Sequence, residues 1–371
     1  MSPAYVFLLI AFLMSVVMGM IIIPRILFLS HKHRLYDLPD ERKIHEAPIP
    51  RLGGLSFFPV ITITIAVLMS ARYILGYDVI HIPERVVLVE FMSLLAGSCI
   101  LYIVGVGDDL IGISYRSKFI AQIICGLLLA VSGLWIHDLN GFIGINGLQA
   151  RYSYPLTILI VVFITNAFNL IDGIDGLASG LASLALTVLG FIFIRERQLI
   201  YALVAFSALG VLIPFWIYNV FGNQARGRKI FMGDTGSLTL GFILSFLALR
   251  ICLTGAEHPN VTNHATMAIS SLIVPAFDVV RVALHRIRKH RNPFMPDRNH
   301  IHHKLLRAGM RKRFIPLSII LLAFFYIVLT EWLSNYMNIT FVLLIDFAIY
   351  TVLHLIINHY IKKVEGTPHS I

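Results

Sequence analysis

Apolar residues run through this chain in long unbroken blocks, without the alternation of a half-buried strand or the stripe of an amphipathic helix. Stretches such as Tyr5–Leu29 and Phe314–Leu329 approach or exceed the ~17–25 apolar residues that a bilayer-crossing helix needs. The pattern predicts about eleven spans, near 4–29, 54–75, 86–106, 119–135, 156–171, 177–194, 199–217, 237–253, 265–284, 314–331 and 339–361. The expected fold is an all-α polytopic membrane protein, one domain over residues 1–371. No repeat period or low-complexity segment interrupts it. The first block lacks a basic leader and a small-residue cleavage site, so it is expected to be a retained span.

Composition agrees with that pattern. The 371 residues are 57% hydrophobic and 13% charged, against ~25% charged in an ordinary soluble domain. This excludes a globular cytosolic protein, a disordered chain and a disulfide-rich secreted fold. Cys99, Cys125 and Cys252 lie inside apolar blocks and read as small packing residues. The formal charge of +10 accompanies no nucleic-acid-binding motif. The basic residues instead sort by loop: 22 Lys and Arg fall in one alternating set and 5 in the other. By the positive-inside rule the basic side is cytoplasmic, which places the N-terminus outside and the C-terminus inside.

Acidic residues at membrane depth are functional candidates by default, and five fall at one level. Asp108 and Asp109 end the third span in Val104-Gly-Val-Gly-Asp-Asp-Leu. A helix C-terminus disfavours anions, so this pair calls for a cation or a basic partner; the plainer reading is a solvated loop with Arg116 or Lys118 nearby. Asn166, Asn169, Asp172 and Asp175 recur every third residue in Asn166-Ala-Phe-Asn-Leu-Ile-Asp-Gly-Ile-Asp-Gly-Leu. On a straight helix four such residues drift around half the circumference. They either form Asx turns at Asp-Gly or line an aqueous cavity. Asp234, in Phe231-Met-Gly-Asp-Thr-Gly-Ser, can cap the eighth span. It can also hold Mg²⁺, which prefers one or two carboxylates with phosphates and water.

Two basic segments share that side: Arg42-Lys-Ile-His-Glu-Ala-Pro-Ile-Pro-Arg-Leu-Gly-Gly and the loop Arg286–Arg313, which contains Pro296-Asp-Arg-Asn-His-Ile-His-His. His300, His302 and His303 without a Cys or Glu make a poor zinc set. The loop suits either anionic lipid headgroups or capture of a diphosphate. Acids at one rim with bases opposite are what Mg²⁺ and a diphosphate require. Loops 30–53, 107–118, 218–236 and 285–313 would together form the site.

These motifs, in order across nearly the whole chain, resemble the polyprenyl-phosphate N-acetylhexosamine-1-phosphate transferases (glycosyltransferase family 4). The ending His300-Ile-His-His is similar to the WecA-like branch, which is related to MraY. The resemblance implies an Mg²⁺-dependent enzyme, with Mn²⁺ as an alternative ion, in the bacterial cytoplasmic membrane with its site on the cytoplasmic face. Its substrates would be a UDP-N-acetylhexosamine, most simply UDP-GlcNAc, and undecaprenyl phosphate. UMP would leave, and the lipid-diphospho-sugar would begin cell-envelope polysaccharide such as O-antigen. A homodimer is a further expectation. By the same resemblance Asp234 and Asn169 hold the metal. Asp108 handles the lipid phosphate, and Asp109, Asp172, His302 and His303 complete the catalytic set. Lys43, His45, Asn166, Asp175, Arg298 and His300 bind substrate, with Asp175 reading the uracil.

The alternatives are a phospho-N-acetylmuramoyl-pentapeptide transferase and, from another class, a secondary transporter. The latter would place its polar groups at the midplane of repeated halves. The Asp-Gly-x-x-Ala-Arg pattern of CDP-alcohol phosphotransferases is absent. Asp278 and Asp346 lie inside the ninth and eleventh spans: Asp278, between Pro275 and Arg281, is a further candidate for the cytoplasmic site, and Asp346 reads most simply as an inter-helix hydrogen-bond partner.

Overall fold

The computed structural model describes residues 3–37, 48–76, 85–257, 264–290, 292 and 299–365. Twelve helices are present among them: α1 (Pro3–Lys32), α2 (Phe57–Leu75), α3 (Arg85–Ile111), α4 (Tyr115–Val131), α5 (Ala150–Ile171), α6 (Leu177–Arg195), α7 (Leu199–Val220), α8 (Gly233–Glu257), α9 (His264–Arg288), α10 (Ile301–Arg307), α11 (Ile315–Ser334) and α12 (Ile339–Glu365). Ten are long and apolar enough to cross a membrane. The remaining predicted span is α4, whose 17 residues reach about 26 Å at 1.5 Å per residue. It starts four residues before the predicted 119 because polar Tyr115-Arg-Ser-Lys forms its first turn, which Ser114 caps by accepting from the Ser117 N–H at 3.2 Å.

Helix α8 is the centre of the bundle. Its apolar window is 89% buried, against 28% for α1, α3 and α12, and it packs most extensively on α3 and α5. Lipid tails are as apolar as Leu, so helices associate here by close packing rather than by escape from water. Glycines permit that approach at the acid-bearing end. A Cβ on Gly105 of α3 would lie 2.4 Å from Thr235 Cα of α8, and one on Gly54 2.1 Å from Gly236 N. Large apolar residues on the outer helices, such as Leu13, Val17 and Ile21 of α1, are exposed and face lipid.

Two short antiparallel pairs complete the fold. Strands β1 (Tyr36–Asp37) and β2 (Ile49–Pro50) pair beside the acid-bearing end. Strands β3 (Asp138–Phe142) and β4 (Ile145–Gly147) form a hairpin at the opposite end. Its turn residues Ile143 and Gly144 both have positive φ, and the Ile143 N–H donates to Thr340 Oγ1 at the start of α12, at 2.7 Å. This hairpin was not visible in the hydropathy. Cys99, Cys125 and Cys252 are free thiols. Asp346 accepts from Thr330 Oγ1 at 3.0 Å, an interhelical bond between α12 and α11.

Candidate active site

The chain direction alternates through the bundle, so α3 ends where α4, α6 and α8 begin. That topology gathers Asp108, Asp109, Asp172, Asp175 and Asp234 at one end. Asp108, Asp109 and Asp234 form the tightest group: each offers an oxygen within 4.8 Å of the others.

Asp109 is the best-bonded of the three. Its side chain is 0% exposed. It accepts from Arg51 Nε at 3.0 Å and Nη2 at 2.9 Å. It also accepts from the Asp234 N–H at 2.9 Å, the Thr235 N–H at 3.0 Å and Thr235 Oγ1 at 2.6 Å. The two backbone donors are unpaired N–H groups of the first turn of α8. Asp109 therefore caps α8 from a different helix. The positive end of α8 and Arg51 compensate the charge that the C-terminus of α3 repels.

Asp108 and Asp234 are left to act. Asp108 Oδ1 accepts from the Ile113 N–H at 2.8 Å, and its Oδ2 meets Lys118 Nζ at 2.8 Å. The same ammonium donates to Asp234 Oδ2, and Arg51 Nη2 lies 3.7 Å from Asp234 Oδ1. Lys118 arrives because Gly112, at φ 73°, ends α3 and Ser114 starts α4 within a few residues. Arg51 arrives on a backbone ladder: Phe231 N–H donates to Pro50 O at 2.7 Å, Gly53 N–H to Phe231 O at 2.9 Å and Gly54 N–H to Met232 O at 2.8 Å. The sequence offered Lys118 as a neighbour of the Asp108–Asp109 pair but did not single out Arg51, and only the tertiary fold brings either to Asp234.

The donor set fits a divalent cation. Two carboxylates, already bridged by a positive charge at Lys118, sit in a cluster whose acids outnumber its bases. Magnesium takes one or two carboxylates and completes its shell with water and phosphate oxygens. Asn169 donates through Nδ2 to Ser237 Oγ at 2.9 Å, which leaves its carbonyl oxygen as the end suited to a cation.

The turn between α5 and α6 forms the second wall. Asp172 is half-buried, and its carboxyl is pushed up to about 8 by burial, reinforced by Asp234, Asp175 and Asp109. Asp175 pairs with Lys229 Nζ at 2.8 Å. Asn219 of α7 ties the turn to the extended segment leading to Asp234: it accepts from the Gly176 N–H at 2.7 Å and donates to Ile230 O at 2.8 Å. Neither Lys229 nor Asn219 carried a sequence signal. Asn166 lies further along α5 and hydrogen-bonds with the side chain of Gln122 of α4 and, at 2.8 Å, with Val162 O. It joins α5 to α4.

The histidine segment packs beneath this turn. His302 is buried, and a Cβ on Gly173 would lie 2.4 Å from its Nε2. Burial, then the neighbouring His303, drive its pKa down to about 3, so the ring is neutral. His303 is half-exposed, with its ring 4.3 Å from that of His302. His300 is buried and bound to Asp278 at 2.7 Å. Lys43, His45 and Arg298 lie outside the described residues.

Comparison with known proteins agrees with the motifs. Residues 91–252 match the family described as Glycosyl transferase family 4. The chain is 33% identical to the undecaprenyl-phosphate alpha-N-acetylglucosaminyl 1-phosphate transferase of Yersinia pestis, over 75% of this chain and 71% of the relative. It is 32% identical to the probable undecaprenyl-phosphate N-acetylglucosaminyl 1-phosphate transferase of Bacillus subtilis (strain 168), over 91% and 89%. Identity to the Escherichia coli (strain K12) enzyme of the first name is 32%, over 76% and 72%. With these motifs and these relatives, the chain belongs to glycosyl transferase family 4, among the polyprenyl-phosphate N-acetylhexosamine-1-phosphate transferases.

Proposed function

We propose that this protein transfers N-acetylglucosamine-1-phosphate from UDP-GlcNAc to undecaprenyl phosphate at the cytoplasmic face of a bacterial inner membrane. The observation that carries this reading is the Asp108–Lys118–Asp234 group, with Arg51 beside it, at the end of a multi-pass bundle whose relatives bear that activity in their names. An oxygen of the lipid phosphate attacks the sugar-linked phosphorus. The bond from that phosphorus to the bridging oxygen breaks, and UMP departs with the oxygen. One phosphoanhydride replaces another, so the equilibrium constant lies near unity and catalysis is mainly positioning and charge neutralisation.

Each residue then has a part. Asp234 and Asp108, with Asn169, would hold Mg²⁺, which when bound neutralises the phosphate oxygens. Asp108 also orients the lipid phosphate. Lys118, which bridges the two carboxylates, would with Arg51 face the incoming phosphates. Asp109 holds the first turn of α8 and the Arg51 guanidinium in place, and reaches substrate only through them. Asp175 reads the uracil once Lys229 yields, and His303 stands nearest solvent to meet the diphosphate. Asp234→Asn tests the assignment: turnover is expected to fall at least ~10²-fold, as for loss of one charge-stabilising group, and Mn²⁺ binding read by electron paramagnetic resonance should weaken. Near-normal turnover would remove Asp234 from the metal site.

A further inference from the structure

Asp278 sits within α9, its side chain 0% exposed, and nothing in the transfer chemistry above uses it. An unpaired carboxylate there would be prohibitive. Instead both its oxygens are engaged, by one segment and its supports. Oδ1 accepts from the Ile301 N–H at 2.9 Å, from Arg281 Nη2 at 2.8 Å and from the Tyr350 hydroxyl of α12 at 3.4 Å. Oδ2 faces His300 Nδ1 at 2.7 Å. A carboxylate only accepts, so Nδ1 carries the proton and His300 is fixed in one tautomer and one orientation.

Two of these bonds act on the start of α10. Ile301 is its first residue, and His300 occupies the N-cap position without a side-chain capping bond, so Asp278 supplies that bond by accepting from the Ile301 N–H. Arg281 Nη2 also donates to Asn299 O, and Lys304 Nζ reaches Asn358 Oδ1 of α12 at 2.8 Å. The polar residues Asp346, Tyr350, His354 and Asn358 recur every fourth position along α12. The histidine segment is thus gripped from α9 and braced from α12. Beyond the grip, the His300 ring stacks on that of His302, with centroids 5.9 Å apart and planes 7° apart. His302 lies against Gly173 in the Asp172–Asp175 turn. Both His302 ring nitrogens are without a hydrogen-bond partner among the described residues. Its place is therefore set by packing from His300 on one side and Gly173 on the other.

We propose that Asp278 is a positioning residue, which through His300 and the first turn of α10 seats His302 against the Asp172–Asp175 turn and so presents His303 to the substrate. It touches no reacting atom and acts through the histidine segment.

The test has two arms on the full-length protein in detergent. In the first, hydrogen exchange read by mass spectrometry follows residues 299–307 in wild type, Asp278→Asn and His300→Asn. Faster exchange in both variants, with the bundle core unchanged, is expected; unchanged exchange of this segment in either variant overturns the proposal. In the second, kcat/KM for UDP-GlcNAc is measured for each variant and for the double variant. Each single change is expected to lower it at least tenfold, and the double change no further than the worse single, because residues acting as one unit are not additive. Multiplying losses overturn the proposal. The kinetic arm rests on the transfer reaction proposed above, whereas the exchange arm does not. Wild-type protein that releases no UMP contradicts that reaction, and the exchange arm still decides the role of Asp278. Should Asp278→Asn fail to fold, His300→Asn carries the exchange arm alone.

Discussion

At the scale of single residues, the site separates groups that hold from groups that act. Asp108 and Asp109 are neighbours in sequence, yet Asp108 Oδ2 is held by side-chain cations, Lys118 at 2.8 Å and Arg51 at 3.5 Å, while Asp109 is enclosed by Arg51 and the first turn of α8. Sequence marks both as acids at a helix end and cannot distinguish them, because the distinction comes from α8, more than a hundred residues away. His302 shows the same limit: its motif suggests a ligand-facing ring, while the fold buries it under Gly173. Its depressed pKa has a consequence for stability. The groups facing it are His303, Asp278 and His300. In the unfolded chain a His titrates near ~6.5, and here the folded value is about 3. The contribution is therefore complete above the unfolded value and is lost as pH falls below it, since the unfolded chain then binds the proton. The apparent melting temperature of the wild type should drop more steeply between pH 7 and pH 5 than that of His302→Asn. Equal slopes would contradict the buried, neutral ring, because they require His302 to take up its proton over the same pH range folded as unfolded.

At the scale of elements, helix ends do the assembling. The hydropathy reveals nearly every span, and α2, α5, α6 and α7 end within a few residues of the pattern that predicts them. It is silent on which ends meet, because continuous apolar blocks carry no facing information. Close glycine contacts supply it. Gly105 lets α3 approach the start of α8 so that the Asp109 carboxylate reaches Asp234 N and Thr235 N. Gly105→Ala should separate the two ends, costing ~1–3 kcal/mol as overpacking does, and should lower turnover by ~10²-fold through misplacement of the acids. Thermal melting and UMP release check the two effects, and an unchanged turnover would show that this approach is not needed. The β3–β4 hairpin escaped the sequence reading for a local reason. Its turn places Ile143 at positive φ, where Asn or Gly is the usual signal. The bond to Thr340 lies almost two hundred residues away.

At the scale of the whole molecule, alternating helix direction collects acids from α3, α8 and the α5–α6 turn at one end and leaves the β3–β4 hairpin at the other. The excess of Lys and Arg in the loops on the acid side predicts that this end is cytoplasmic. A cysteine introduced at Arg228 should resist a membrane-impermeant maleimide in intact cells, whereas one at Gly147 should react; the reverse pattern would invert the orientation. The sequence motifs carried the reaction class, since their order along the chain mirrors the family. They did not disclose Arg51, Lys229 and Asn219, nor the bridge from Lys118 to Asp234, since those neighbours are set by tertiary structure alone. The central claim is a metal-dependent transfer in which the lipid phosphate itself attacks. The most direct measurement follows UMP release from UDP-GlcNAc by purified protein, with and without undecaprenyl phosphate, Mg²⁺ and EDTA. The account predicts UMP only when lipid and metal are both present, in step with lipid-diphospho-sugar. UMP formed without the lipid, or undiminished by EDTA, would contradict it.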